Sequence, residues 1–598
     1  MARKVEMRLM ELAVMQEDVR CVIEFLGRQE NFEFQFHQGE GSGGTLSYKE
    51  LFDKLQHARS YLGMDDLCGY RDDSVFPSAS DVEQARAIIS SVDGLRQQER
   101  ELKSAVSRMV FSEQLSVSLG MAGQDAGASD GGSAENAEGL AEAMSLLKQQ
   151  EQEYRSAREA EVDEKIKAER KGLVAVHGED LRRLLGRFSL GANIQQVENS
   201  LESTEFVYKI AGWVALVDVK KLTEELDKLT KGRLAICLYR PDEVPGVAEG
   251  REEIPVQFKH NKFVASFERM LFSYGTPRYG TVDVTPLMAF FFPFLFGIMF
   301  GDAGQGLVFL LVGILLSAGI IKKFPAWNKF GPIFISLGCT STVMGVLTGE
   351  FFANSKVLVP LSRYITGLYG HPHDHILHLM PSSDTIGTVF MFFGFTLLVG
   401  FIMNSIGLII NMVNQISLGH PAKALLGKNG LCGAVFFWYV IFMVIRVVAF
   451  KSSIFVGDWI VIGLSLAGAC FAHPIERLIE GERPVFEDGL GSGIIVCVVE
   501  VMEVVSGYMS NTVSFLRVGA FGLAHAVLGY IIFTMSQMVG GVGGLAIAIV
   551  GNAIVIFLEG MIVAIQVARL HYYEFFSKFF TETGREFKPF RFQYKQAG

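Results

Sequence analysis

SNTVSFLRVGAFGLAHAVLGYIIF, residues 510–533, places one arginine, Arg517, inside a run of apolar and small residues. A charge at bilayer depth costs at least ~2.5–3.5 kcal/mol on insertion scales, so such a residue faces a partner or a watery path. Snorkelling needs a nearby helix end, yet the apolar text continues well past Arg517. Two readings stay open on this stretch alone: a structural ion pair, or a group on an ion pathway.

The text around it is unusual. No proline falls between Pro484 and Pro589, and the hydrophobic stretch at 493–538 would make roughly 65 Å of helix at 1.5 Å per residue. That is about twice the bilayer core, so the helix must tilt strongly or break. GGVGG at 540–544 predicts a tight turn, after which residues 543–577 return antiparallel.

Polar residues fall on one stripe of the first helix, at Glu503, Ser510, Ser514, Arg517 and His525, spaced by multiples of three and four together with Gly507 and Phe521. On the second, Asn552, Glu559 and Gln566 are seven apart and Arg569 follows three later. Each helix thus has one hydrophilic face on an apolar body. With the two arginines at similar depth, Glu503 lies ~21 Å to one side of Arg517, and His525 (~12 Å) and Glu559 (~15 Å) lie to the other. Carboxylates on two sides of a fixed positive charge suit two offset, water-accessible half-channels.

Outward from these helices, residues from about 284 onward are rich in Phe, Leu, Ile, Val and Gly, whereas the first 283 are charged and helix-rich. A span needs about 20 helical residues. Eight candidates lie near 284–300, 303–321, 331–352, 386–411, 431–450, 454–472, 493–538 and 543–577. The first is short and carries Pro293, which leaves a re-entrant segment open, and GDAGQG at 301–306 reads as a turn. With the N-terminus inside, inner loops and tail hold twelve Lys and Arg residues, including Lys322, Lys423, Lys428, Arg477 and Lys578, against Lys356, Arg363 and Lys451 outside. This obeys the positive-inside rule and places both termini in the cytosol.

In the soluble half, residues 5–15 read as a strand, 16–28 as an amphipathic helix and NFEFQFH as a second strand. Apolar residues at Ala85, Ile88, Val92, Leu95, Leu102, Val106 and Met109 make a coiled-coil seam with Glu99 as the exception. A Gly, Ala, Ser and Asp-rich linker at 121–139 and a charged helix at about 140–171 complete a helical hairpin, a strut on an α/β lobe. EFVYKIAGWVAL, VDVKKLTEELDKL and GRLAICLYR return to strand, helix and strand. The start, MARKVEMRLMELAV, lacks a signal peptide's continuous apolar core.

Several functions are disfavoured. There is no GxxxxGK[ST] loop and no GxGxxG after a strand, so no nucleotide site of its own is expected. A net charge of −10 gives no general affinity for nucleic acid. The seven cysteines show no CxxC pair and read as reduced, packed residues. HPHDHILH, with His371, His373, Asp374, His375 and His378, is more economically a solvated loop than a metal site, and no metal or cofactor is expected.

At SNTVSFLRVGAFGLAHA, LEGMIVAIQVARLHYYEFFSKFF, FFPFLFGIMFGDAGQG and NKFVASFERMLFSYGTPRYGTVDVTP the chain resembles the membrane-embedded stator subunit of V-type and A-type rotary ATPases, subunit a or subunit I; GWVALVDVKKLTEEL resembles the family's returning cytosolic segment. The resemblance implies that Arg517 takes the family's essential arginine position and Arg569 the second. It places Glu503, His525 and Glu559 among the half-channel groups, with Ser510, Ser514, Asn552 and Gln566 lining them. It implies as partners a rotor ring of small carboxylate-bearing membrane subunits, peripheral-stalk subunits and the lipid bilayer, in a prokaryotic plasma membrane, with a reduced distal lobe. The expected architecture is a cytosolic α/β and coiled-coil domain (1–283), an eight-helix α-helical polytopic membrane domain whose last two helices are long and tilted (284–582), and a cytosolic tail (583–598). A secondary ion-coupled transporter is the alternative; it would usually show internal repeats, and none links the parts of 284–577.

Overall fold

The computed structural model describes residues 5–35, 48–64, 75–125, 135–204, 206–319, 325–352, 354, 357–369, 386–451, 453, 455–470 and 490–592, with side chains at 109–155 and a few further positions excepted. The described chain is mostly helical and divides into two compact units: Arg8–Arg240 with Lys588–Gly598, and Pro241–Phe587 with the first residues.

The first unit is built on a sheet. β1 (Met7–Met15), α1 (Val19–Gln29), β2 (Phe32–Phe34), α2 (Tyr48–Leu62), α3 (Ala79–Asp125), α4 (Glu135–Glu198), β3 (Glu202–Ser203), β4 (Val207–Ala215), α5 (Leu216–Thr230) and β5 (Leu234–Tyr239) follow in order. The strand order is β2-β4-β1-β5, with β3 beside β4. β1 pairs antiparallel with β5, Leu12 opposite Ile236. Alternation puts Met10, Leu12 and Val14 on the face covered by Val22, Ile23 and Leu26 of α1 and Leu222 and Leu226 of α5. The chain's last described residues join this core: Phe590 donates its N–H to Phe32 O (2.8 Å) and Phe592 is buried with the strands.

The strut differs from a two-helix seam along its length. Ala85, Ile88 and Val92 pack against Leu55 and Ala58 of α2 as well as Leu181, Leu184 and Phe188 of α4, a three-helix junction. Leu102, expected in the seam, is 43 % exposed. Here Glu99 has recruited Tyr61, Lys103 and Arg170 into a polar network, and a polar layer replaces the apolar one. The side chains of residues 109–155, which include the first part of the expected second helix, lie outside the described residues.

The second unit runs through α6 (Pro245–Ala248), β6 (Pro255–Val256), α7 (Lys262–Tyr274), α8 (Thr285–Met299), α9 (Ala303–Ser317), α10 (Gly331–Thr348), α11 (Val359–Tyr369), α12 (Ile386–Ser417), α13 (Pro421–Leu426), α14 (Leu431–Phe450), α15 (Val456–Cys470), α16 (Leu490–Ser514), α17 (Leu516–Val539), α18 (Gly541–Ile554) and α19 (Gly560–Arg569), with π turns at Val555–Glu559 and Leu570–Phe575. Short β7 (Arg585–Glu586) runs parallel to β6. Among the described residues, five helical stretches are long and apolar enough to cross a membrane: Asn328–Thr348, Gly387–Ser417, Pro421–Val448, Ile495–Val539 and Gly541–Lys578. Thr285–Met299, Ala303–Ser317 and Val456–Cys470 are shorter apolar helices.

Close approach of α9 and α10 depends on small residues: a Cβ on Gly306 would sit 2.6 Å from Thr342 N, and one on Gly338 would sit 2.3 Å from Leu310 N. GDAGQG is more than a turn, because Asp302 caps α9 by accepting from Gly304 N (2.8 Å) and Gln305 N (3.0 Å). Contrary to the expectation that all the cysteines are reduced, two of them are paired. Cys470 and Cys497 are disulfide-bonded with Cα atoms 5.0 Å apart, because α15 and α16 pack together and bring residues 27 apart in sequence side by side. Cys21, Cys237, Cys339 and Cys432 are free, and Cys68 lies outside the described residues.

Candidate functional site

The 45-residue helical stretch Ile495–Val539 breaks two residues before Arg517. There Phe515 N–H bonds Thr512 O (3.2 Å) and Val518 N–H bonds Phe515 O (3.0 Å), a tightened turn between α16 and α17. The fully buried Phe515 ring seats against Gly400 of α12. Past the break, α17 runs to Gly540 and Gly541, whose φ of 63° and 53° admit the reversal into α18. Ser536 Oγ then donates to Gly544 O (2.8 Å), and Ile532 meets Gly551, fixing the antiparallel register.

That register brings Arg517 to Glu574. Arg517 Nη2 donates to Ser514 Oγ (3.0 Å) and lies 3.8 Å from Glu574 Oε1, which also accepts the Ser514 hydroxyl. The Arg517 side chain is 21 % exposed and Glu574 9 %. Arg517 Nη1 and Glu574 Oε2 have no hydrogen-bond partner among the described residues. Guanidinium Nη1 is therefore left unpaired among the described residues, and a planar fork of this kind suits a second carboxylate. The sequence reading passes over Glu574, since the seven-residue stripe of Asn552, Glu559 and Gln566 would continue at Tyr573. The π turn at Leu570–Phe575 adds a residue to the repeat and puts Glu574, five after Arg569, on the polar face.

Toward the Gly540 end lies a buried polar cluster. His525 Nδ1 is 2.9 Å from Glu559 Oε2, with side-chain exposures of 3 % and 9 %. The Phe300 ring closes over His525 at 4.7 Å between centroids. Asp302 and Glu350 are electrostatic neighbours of His525. Asp302 also accepts Phe352 N–H (2.9 Å), and Ala303 N–H bonds Glu350 O (3.0 Å), so the α9 cap and the segment after α10 are held together at this cluster. Gln305, 1 % exposed, donates to Asn552 Oδ1 (2.8 Å) and ties α9 to α18.

Toward the Leu490 end the polar groups face an open cleft. Glu503 Oε1 accepts from Lys428 Nζ (2.6 Å), and both side chains are more than half exposed. The cleft holds about 390 Å³ and is lined by Asn411, Lys423, Glu500, Lys578 and Thr581 beside this pair. Lys578, 8 % exposed, sets its ammonium 4.4 Å from the Tyr508 ring centroid, and Tyr508 in turn donates to Lys428 O (3.0 Å).

The stripe thus splits into three places. Arg517 and Ser514 share the central group with Glu574; His525, Glu559 and Asn552 join the buried cluster; Glu503 lines the cleft. Two residues stand apart: Arg569 is exposed and makes no ion pair among the described residues, and Ser510 lies in a shallow apolar groove with Met502, Val505 and Met509. Gln566 is half-buried. Asp302, Gln305, Glu350 and Lys428 were legible only as a turn, a helix end and a loop charge; polar residues within FGDAGQG and TGEFF, inside apolar text, were the available signal. No His, Cys, Asp and Glu group suited to a metal occurs among the described residues, and the His371–His378 loop lies outside them.

Comparison with known proteins identifies the scaffold. Residues 135–346 and 480–592 match the V-type ATPase 116 kDa subunit family. The chain is 37 % identical over 440 residues to the V-type ATP synthase subunit I 2 of Treponema pallidum, covering 73 % of this chain and 88 % of that protein. It is 26 % identical over 411 residues to the A-type ATP synthase subunit I of Thermococcus kodakarensis, covering 65 % and 55 %, and 26 % identical over 416 residues to that of Methanocaldococcus jannaschii, with the same coverage. The matches span about half the length of these archaeal relatives. With a family match over more than half its residues and a bacterial relative aligned over most of that relative's length, the chain belongs to the V-type ATPase 116 kDa subunit family.

Proposed function

We propose that this chain is the ion-translocating stator subunit of a V/A-type rotary ATPase. Its partners are a rotating ring of small membrane subunits, each bearing a carboxylate, and peripheral-stalk subunits docked on the cytosolic unit. In this reading the five long and three shorter apolar helices make eight crossings, with both termini in the cytosol. The chain supplies no nucleotide site; ATP is hydrolysed or made elsewhere in the complex.

One observation carries the reading: Arg517, with Nη1 of its guanidinium unpaired among the described residues, lies between an open cleft at Glu503 and a buried carboxylate–histidine cluster at His525 and Glu559. Guanidinium stays protonated, so Arg517 does not relay protons. It stabilises the ionised ring carboxylate as it passes, which favours unloading and bars a direct leak between the two sides. Exposed Arg569 adds positive charge at the same depth. In the pumping direction, ions enter through the Glu503 cleft, ride the ring, and leave past His525, Glu559, Asp302 and Glu350.

Replacing Arg517 by Ala tests this. ATP-driven ion uptake into vesicles should vanish while the ring and the soluble ATPase still copurify with the subunit. Normal coupled uptake by an assembled Arg517→Ala complex would sink the proposal.

A further inference from the structure

The cleft at Glu503 has a thiol chemistry that ion transfer does not use. Cys470 ends α15, Cys497 lies near the start of α16, and the two are joined across the helix pair. The pair flanks the cleft wall: Ala469, next to Cys470, and Glu500, one turn beyond Cys497, line it directly. A third thiol is near, because a Cβ on Gly468 would fall 2.6 Å from Cys432 Sγ on α14. Cysteines of three helices therefore lie near the α15 segment that ends beside the cleft.

In the orientation proposed above, on which this inference rests, the cleft faces the cytosol. Glutathione and thioredoxin keep thiols reduced there, so a disulfide in that place is transient and responsive rather than a permanent staple. We propose that Cys470 and Cys497 form a reversible thiol–disulfide site that controls how freely α15 and α16 separate at the cleft mouth, with a low-molecular-weight disulfide as the oxidant. One cysteine loses its proton and its thiolate attacks the small disulfide, forming a mixed disulfide and releasing one small thiolate. The second cysteine, likewise deprotonated, attacks the protein sulfur of that mixed disulfide and expels the other small thiolate. The two protons end on the released thiols, and two electrons pass from the cysteine pair to the oxidant. Reduction reverses both steps.

The cross-link restrains α16, the helix that carries Glu503 and leads to Arg517, against α15. With the pair reduced, the two walls move apart more readily and ions enter faster. Oxidation slows entry.

The test uses the intact complex in vesicles whose cytosolic face points outward. Oxidised glutathione should yield a Cys470–Cys497 cross-linked peptide on mass mapping and slow ATP-driven ion uptake by about twofold or more, with dithiothreitol restoring both. Cys497→Ser and Cys470→Ser should each match the reduced wild type in rate and lose the response to oxidant. The site is overturned if both thiols stay alkylatable after oxidised glutathione, if uptake is unchanged or faster once the cross-link forms, or if the serine variants slow equally. Persistent uptake by Arg517→Ala would instead remove the functional reading and leave the mapped cross-link intact, so the two failures are distinguishable.

Discussion

Arg517 Nη2 lies 3.8 Å from Glu574 Oε1, and Ser514, on the far side of the helix break, hydrogen-bonds to both. The break at Phe515 and the π turn at Leu570–Phe575 meet at this contact, so two irregularities on two helices serve one pair of charges.

Glu574→Gln keeps an acceptor for Ser514 and removes the anion that holds Arg517. Truncating one partner of a buried pair costs ~3–5 kcal/mol when the other charge is left uncompensated, and the 21 % exposure of Arg517 places this case at the lower end. ATP-driven uptake should fall by about tenfold in vesicles, the equivalent of ~1.4 kcal/mol, with Glu574→Asp retaining an intermediate rate. Equal rates for Gln, Asp and wild type would show that Glu574 does not position Arg517.

His525 and Glu559 make a second buried polar contact between the two helices, at 2.9 Å. Glu559→Gln replaces a carboxylate with an amide that satisfies His525 less well, and an unsatisfied buried polar group costs ~1–3 kcal/mol. The purified complex should melt at a lower temperature, and ion uptake should drop well below wild type. His525→Ala combined with Glu559→Gln should cost less stability than the sum of the single changes, which a double-mutant cycle reads directly.

The two polar helices were legible because a charge in apolar text is costly wherever it lies, and spacing alone put Arg517, His525 and Glu559 on common faces. β1 and β4 were legible from strand-like runs, and α1 from its apolar face. Register was not legible where a backbone irregularity resets the period, as the π turn at Leu570–Phe575 does for Glu574. Nor does periodicity disclose contacts between distant segments. Asp302 accepting from Phe352, Gln305 reaching Asn552, and Cys470 joining Cys497 all depend on packing between separate elements. Leu102 fails for a different reason, since a polar layer around Glu99 interrupts a seam that is apolar by count.

Gly400 is the hole into which Phe515 fits: a Cβ there would lie 2.5–2.8 Å from the Phe515 Cβ and inner ring atoms, too near the root of the side chain for it to swing aside. Gly400→Ala should destabilise by about 1–3 kcal/mol, the usual cost of overpacking, and displace the break beside Arg517. Gly394 on the same helix has open space at its Cβ, so Gly394→Ala is the control and should be neutral or stabilising by about 0.5–1 kcal/mol. Thermal melts of the detergent-purified complex compare them; equal melting temperatures would rule out the Phe515 seat as a constraint.

In the strut, Glu99 accepts the Tyr61 hydroxyl and bonds Lys103 Nζ (3.0 Å) and Arg170 Nη2 (2.9 Å), while the Arg170 guanidinium stacks 4.0 Å over the Tyr61 ring. The Tyr61 hydrogen bond, with those of the two cations, holds the Glu99 carboxyl down from 4.5 to about 2. A carboxylate depressed in the folded state stabilises it above the unfolded value, so this contribution is full above pH 4.5 and drains away as pH falls toward 2. At 1.36 kcal/mol per unit the upper bound is about 3 kcal/mol, reduced to roughly 2 by the partial exposure of the site. Backbone hydrogen exchange in Leu95–Val106 of the full chain should therefore speed up between pH 5 and pH 3 beyond the intrinsic chemical dependence. Glu99→Gln should show fast exchange at pH 5 and little further change on acidification; a wild-type-like pH response in that variant would assign the acid sensitivity to other carboxylates of the hairpin.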